Sequence, residues 1–257
     1  LIMRQYLLLF LLLVFKSLVI VAQPETRLLE EKSAEELGCD GAVDLGLSVK
    51  WASCNLGAAK PEEYGGYFAW GEVEPKDNYS WGTYKYCNKQ FDLLTKYCFN
   101  AEQGENGFVD NKMELEAMDD AAVFYLGGSW RMPTEVEMKE LIEKCRWEKT
   151  RMNRVYGYKV IGPNDNYIFL PFFAGYMDEA NLTGENSFGY YWASSIDTEN
   201  TLNACAIELS NNSKKRVKIS RRKGLSIRPV CAKKCEPNIV EEDVKICYGE
   251  TYTWNGK

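Results

Sequence analysis

At 257 residues the chain is long enough for one globular domain with short flanking pieces, and 46% hydrophobic against 26% charged residues excludes disorder over most of its length. Histidine is absent, which removes Ser-His-Asp and Cys-His catalysis, His-ligated zinc and any imidazole general base. With 31 basic against 37 acidic residues the net charge is −6, opposite to the footprint of a nucleic-acid binder, so no nucleic-acid partner is expected.

Residues 1–22 read as a secretory signal: Met3 and Arg4 precede an apolar run from Tyr6 to Ala22, and the first acidic residue is Glu25. Cleavage after Ala22 leaves an acidic exported chain, secreted or held at the cell surface, with no stable membrane span. An uncleaved anchor is the alternative, because the run approaches the length of a span. Residues 23–40 are charged and lack apolar periodicity, which reads as a linker. All nine cysteines follow the proposed cleavage site, where export lets disulfides persist. Cys87 and Cys98, in the repeated Lys-Tyr-Cys of residues 85–87 and 96–98, are a plausible bridge, while no CxxC pair offers a metal site.

From residue 41 to 232 the chain carries short runs rich in aromatic and β-branched residues, broken by Gly, Asn and Pro. Strands are predicted over residues 48–53, 67–70, 156–161, 167–170, 190–194, 204–209, 216–219 and 226–230, too many and too short for a parallel α/β sheet. A short helix is predicted over residues 118–126, with Asp119 and Asp120 as helix-start carboxylates rather than an acid/base dyad, since adjacent helix positions face apart. A longer helix opens at a capping box of Thr134 and Glu137, and Met138, Leu141, Ile142 and Cys145 form its apolar stripe. Most of Trp51, Trp70, Trp81, Trp130, Trp147 and Trp192 are assigned to the core, although such rings also form sugar-stacking platforms.

Several segments, in order, resemble the Fibrobacter succinogenes major paralogous domain, a family of exported Bacteroidetes and Fibrobacter proteins. They are Ala42-Val-Asp-Leu-Gly-Leu-Ser-Val-Lys-Trp-Ala-Ser-Cys-Asn55, Tyr67-Phe-Ala-Trp-Gly-Glu72, Asp119-Asp-Ala-Ala122, Gly127-Gly-Ser-Trp-Arg-Met-Pro-Thr134, Ile168-Phe-Leu-Pro171, Gly189-Tyr-Tyr-Trp-Ala-Ser-Ser195 and Ser226-Ile-Arg-Pro-Val230. The resemblance implies an α+β, C-type-lectin-like fold for residues 41–232, with short antiparallel strands and two helices. It also implies a distant relation to the formylglycine-generating enzyme. The cysteine pair on which those enzyme relatives depend is not evident, since Cys205 stands alone between Trp192 and Arg228.

Residues 233–257 resemble the opening of a β-rich surface repeat that stops in mid-pattern. Glu236-Pro237-Asn238 and Trp254-Asn255 mimic lectin calcium ligands, but fall after the strand that closes the family domain. The function expected is a non-catalytic lectin-like binding module for a carbohydrate or protein ligand outside the cell, with no cofactor. The alternatives are an oxidative enzyme of the formylglycine-generating type and a structural subunit of a surface assembly. Ligand contacts are assigned to the polar loop of residues 177–187, specifically Asp178, Glu179, Asn181 and Asn186, between aromatic segments. The polar residues 211–216 are the next candidates.

Overall fold

The computed structural model describes residues 41–233. Strand β1 (Ala42–Asp44) and strand β2 (Val49–Ala52) form a hairpin, and β2 pairs on its other side with β12 (Val230–Ala232), the last strand described. The two ends of the described region therefore lie in one sheet, completed by the short β3 (Trp130–Arg131). Lys233 and Asp44, near those ends, form an ion pair at 2.9 Å.

Helix α1 (Ala121–Leu126) and helix α2 (Glu135–Lys144) flank β3. The capping box of α2 forms as its sequence predicts: Thr134 Oγ1 accepts from Glu137 N at 3.2 Å and a Glu137 carboxylate oxygen accepts from Thr134 N at 2.8 Å. Met138 and Leu141 are buried. α1 begins later than predicted. A 3-10 turn over Ala117–Asp119 precedes it, and Asp120, not Asp119, is its N-cap, accepting from the amides of Ala122 and Val123.

Two three-stranded antiparallel sheets follow. One is β4 (Arg146–Met152), β5 (Val155–Ile161) and β6 (Tyr167–Pro171); the other is β9 (Phe188–Ile196), β10 (Asn203–Ser210) and β11 (Lys214–Ser220), with β10 central. β4 is not among the strands read from the sequence, because only Trp147 and Met152 of its side chains turn even partly inward.

Eight of the nine residues of β9 are buried, so this strand is covered on both faces. Its alternation sends Tyr190, Trp192 and Ile196 into one core and Tyr191 and Ala193 into another. The second core is aliphatic in the main: Leu45, Leu47 and Val49 meet Met138 and Leu141 of α2, Val160, Ile168 and Leu170 of the β4–β6 sheet, and Ile207 and Leu209 of β10. The first is aromatic, with Phe68, Trp70, Tyr79, Tyr84, Tyr86, Tyr97 and Trp192. Much of it comes from residues 53–116, which hold no α-helix or multi-residue strand, only 3-10 turns at Trp81–Thr83 and Glu105–Gly107 and isolated bridges.

This is an α+β arrangement of short antiparallel strands with two helices, as the sequence leads one to expect. Among the described residues no helix is long and apolar enough to cross a membrane. The leader expected over residues 1–22, the linker expected over 23–40 and all but the first residue of the repeat expected over 233–257, with Glu236-Pro237-Asn238 and Trp254-Asn255, lie outside the described residues.

Candidate functional site

The segments that carry the family resemblance are far apart in sequence and interlock in the interior. Arg228, fully buried, donates to Asn55 Oδ1 at 2.8 Å, to the Ala52 carbonyl at 3.0 Å and to the Phe169 carbonyl at 2.8 Å. Burial lowers its pKa to about 10, and the three acceptors give the desolvated guanidinium its hydrogen bonds. Trp70 Nε1 donates to the Ala193 carbonyl at 2.9 Å and Trp192 Nε1 to the Phe68 carbonyl at 2.8 Å. A carboxylate oxygen of Glu72 accepts from the Lys85 amide at 2.7 Å, and the same carboxylate pairs with Lys76 at 2.7 Å.

The adjacent acids Asp119 and Asp120 are both buried, with opposite environments. Asp119 accepts from the Tyr86 hydroxyl, from the Tyr97 hydroxyl at 2.6 Å and from Lys96 at 2.5 Å. Burial alone would raise its pKa, but these donors outweigh it and hold the carboxyl below the usual range. In Asp120 burial wins and the pKa rises, even though the amides of Met132, Val123 and Ala122 all donate to it. The two carboxylates bond to different partners and form no dyad.

Arg221, also fully buried, donates to the carbonyls of Tyr97 at 2.7 Å, Thr201 at 3.0 Å and Lys96 at 2.7 Å. The expected Cys87–Cys98 bridge is not formed. Both are free thiols, donating instead to carbonyls of their own loops, Cys87 to Trp81 at 3.0 Å and Cys98 to Asn100 at 3.1 Å. Cys231 is disulfide-bonded. Cys205 is free and buried, and burial pushes its thiol up to about 11 although Lys218 Nζ lies 3.1 Å away.

The stretch assigned to ligand contact is not an open loop. Strand β7 (Tyr176–Asp178) and strand β8 (Asn181–Thr183) make a tight hairpin, with Glu179 at φ +52° in its turn. Asp178 is engaged by Arg222 at 2.6 Å and Lys223 at 3.2 Å, which hold its carboxyl below the usual range against the opposing effect of burial. Glu179, Asn181 and Asn186 are exposed. The structure thus gathers Asp178, Glu179 and Asn181 on one hairpin and leaves Asn186 beyond it, at φ +63°.

An apolar cleft of about 530 Å³ lies elsewhere, lined by Leu56, Gly57, Gly65, Gly66, Phe68, Pro75, Tyr125 and Leu126. Glycine is required in its wall: a Cβ at Gly65, which sits at φ +72°, would lie 2.3 Å from the Leu56 carbonyl oxygen. At Gly66 a Cβ would press on the Phe68 ring at 2.9 Å. α1 turns Ala121 and Ala122 inward and leaves Phe124, Tyr125 and Leu126 exposed. Tyr125 packs edge-on against Phe68 and Phe124, at centroid distances of 6.0 and 5.1 Å. This cleft was not read from the sequence. The available signal was the pair of small residues before three large apolar ones in a helix too short to bury both sets.

No family model matches the chain, and neither does any curated protein or solved structure. Among the described residues no group of three or more Cys, Asp and Glu side chains is placed to hold a metal ion.

Proposed function

We propose that this chain is an exported, non-catalytic binding module of C-type-lectin-like fold, a member of the Fibrobacter succinogenes major paralogous family, that recognises a carbohydrate or protein outside the cell. The observation that carries the reading is a division of labour among its side chains. The interior groups that could do chemistry, Asp119, Arg221, Arg228 and Glu72, are occupied by partners that belong to the fold. Of the large side chains left exposed, Phe124, Tyr125 and Leu126 are consecutive on α1, and Tyr125 and Leu126 line a cleft, the usual setting for ligand capture.

An oxidative enzyme would need a reactive thiolate. The thiol of Cys205 is buried and stays protonated at neutral pH, which supports binding over catalysis. The interlocking of distant motif segments through Arg228, Trp70 and Trp192 supports the family assignment, since those residues have reason to occur together.

A glycan and extracellular-protein array probed with the chain lacking its leader tests the reading. Binding that Tyr125→Ala removes without lowering the melting temperature places the ligand in the cleft. Binding that survives Tyr125→Ala but is lost in the Glu179→Ala, Asn181→Ala, Asn186→Ala variant returns the site to the β7–β8 hairpin. Thiol-dependent oxygen uptake by the chain would overturn the non-catalytic reading.

A further inference from the structure

β4 and β11 are outer strands of their sheets, and together they carry seven Lys or Arg and a single Glu, in a chain of net charge −6. Strand alternation decides which cations share a side. Trp147, Lys149 and Arg151 stand opposite Val160, Tyr158 and Tyr156 of β5, while Lys214, Arg216 and Lys218 stand opposite Leu209, Ile207 and Cys205 of β10. The two rows meet. Lys214 Nζ lies 5.7 Å from the centroid of the Trp147 ring, and Lys149 Nζ lies 3.5 Å from Asn212 Oδ1 in the β10–β11 turn. The Tyr158 hydroxyl donates to the Ser210 carbonyl at 2.8 Å and fastens one sheet to the other at that point.

All five cations of these rows are exposed. Arg216 and Lys218 share Glu135 at 3.2 and 3.5 Å, but among the described residues Lys149, Arg151 and Lys214 have no carboxylate within 4.0 Å. Charged edge strands discourage pairing with other chains. That role alone does not call for two rows of one sign converging on a half-buried indole.

We propose that this basic ridge binds a linear acidic polysaccharide, its sulfate or carboxylate groups on Lys149, Arg151, Lys214 and Arg216 and a sugar ring beside Trp147. Cations at alternate strand positions are about 7 Å apart and form two converging rows, an interval that a glycan with one charge per sugar or per two sugars can follow with its successive groups. The net charge of −6 weighs more against a nucleic-acid duplex, with one charge per about 1.7 Å of axis, than against such a sparsely charged glycan. An acidic protein partner fits less well, because neither strand exposes a large apolar side chain to anchor it. The ridge shares no residue with the cleft beside Tyr125, so the inference stands apart from the ligand assigned there.

The test titrates the full chain, at several salt concentrations, with a chondroitin sulfate oligosaccharide, polygalacturonate, neutral dextran and a short DNA duplex. The expected result is binding to one or both acidic glycans and none to dextran. In the Lys149→Ala, Arg151→Ala, Lys214→Ala variant affinity should fall at least tenfold, and the slope of log affinity against log salt should shrink by about 2. These three cations have no carboxylate partner, so the variant should melt with the native chain. The charge-matched Lys60→Ala, Lys89→Ala, Lys139→Ala variant should bind nearly as the native chain does. Equal losses in the two variants would overturn the proposal by reducing the effect to net charge. It would equally be overturned by tighter binding of the duplex than of either glycan, by undiminished binding in the ridge variant, or by no binding to any probe.

Discussion

The two cores that meet across β9 are built by different means. The aliphatic core is assembled from regular elements: α2, the β4–β6 sheet and one side of β9 and β10 deliver Leu, Ile, Val and Met at helical or strand spacing. The aromatic core takes much of its mass from a long irregular stretch, where few ladder hydrogen bonds are available. Side chains replace the ladder there. The hydroxyls of Tyr79 and Tyr84 donate to the carbonyls of Tyr67 and Trp70 at 2.6 and 2.7 Å, Tyr86 and Tyr97 donate to Asp119, and Arg221 gathers three carbonyls. The aliphatic core therefore rests on apolar burial with a few buried anchors beside it, Arg228 and the hydroxyls of Tyr158 and Tyr191, whereas the aromatic core depends on a denser set of them, each costly to remove singly.

The sharpest way to break this comparison is to place a charge in the aliphatic core. Leu141→Asp buries an unpaired carboxylate and should cost several kcal/mol, enough to unfold the domain, whereas Lys139→Ala, on the exposed side of α2, should stay within about 0.5 kcal/mol. Circular dichroism melts of the two variants measure the contrast, and equal losses would mean that the helix does not present the face described.

In the aromatic core the comparable lever is Asp119. Asp119→Ala strands two buried tyrosine hydroxyls and leaves Lys96 to Glu116 alone, and should cost about 3–5 kcal/mol, while Asp120→Asn keeps an acceptor for the Ala122 and Val123 amides and unpairs only the Met132 amide, and should cost about 1–2 kcal/mol. Urea titrations of both variants rank them, and a reversed order would assign the anchor to the wrong acid.

The same pair separates by pH. Because the folded-state pKa of Asp119 is depressed, its stabilisation is fully present above the unfolded carboxylate value of about 4 and is lost as pH falls through the lower folded value. Asp120, with a raised folded-state pKa, acts in the opposite sense and weakens the fold once it ionises. Urea midpoints measured from pH 6 to pH 2 should fall less steeply in Asp119→Asn than in the native chain, and an unchanged slope would remove Asp119 from the acid response.

The smallest effect is expected on the surface. Tyr125→Ala and the Glu179→Ala, Asn181→Ala, Asn186→Ala variant should each melt within about 0.5 kcal/mol of the native chain, and adding Asp178→Ala should lower stability slightly further by unpairing Arg222 and Lys223. Differential scanning calorimetry resolves these, and a large loss on Tyr125→Ala would make that ring part of the core rather than the rim of a cleft.

The difference between the cores also decides what could be read from the sequence. Thr134 with Glu137, and the stripe of Met138 and Leu141, announce α2 because helix periodicity is local. Most of the strands in the sheets that wall the aliphatic core are equally legible from their alternation. Nothing local announces that Tyr86 and Tyr97 will converge on Asp119, more than twenty residues away from either, because the stretch that brings them there has no period. β4 escaped notice because Arg146-Trp-Glu-Lys-Thr-Arg-Met152 turns so little inward, and the β7–β8 hairpin because Glu179 holds a left-handed backbone without glycine to signal the turn. Those two omissions bear on the site: one hid the basic ridge, and the other made a paired hairpin look like an open loop.

The pairing of β2 with β12, with Asp44 and Lys233 in contact beside it, gives the domain a single point of attachment. Sequence arriving at residue 41 and sequence leaving after 233 therefore meet the domain at one edge. A domain tethered in this way can be spliced into a longer chain without separating its neighbours by its own width. It also tolerates reordering: joining 233 to 41 through a short linker and opening the chain at the exposed turn around Asn212 would preserve every strand pairing described.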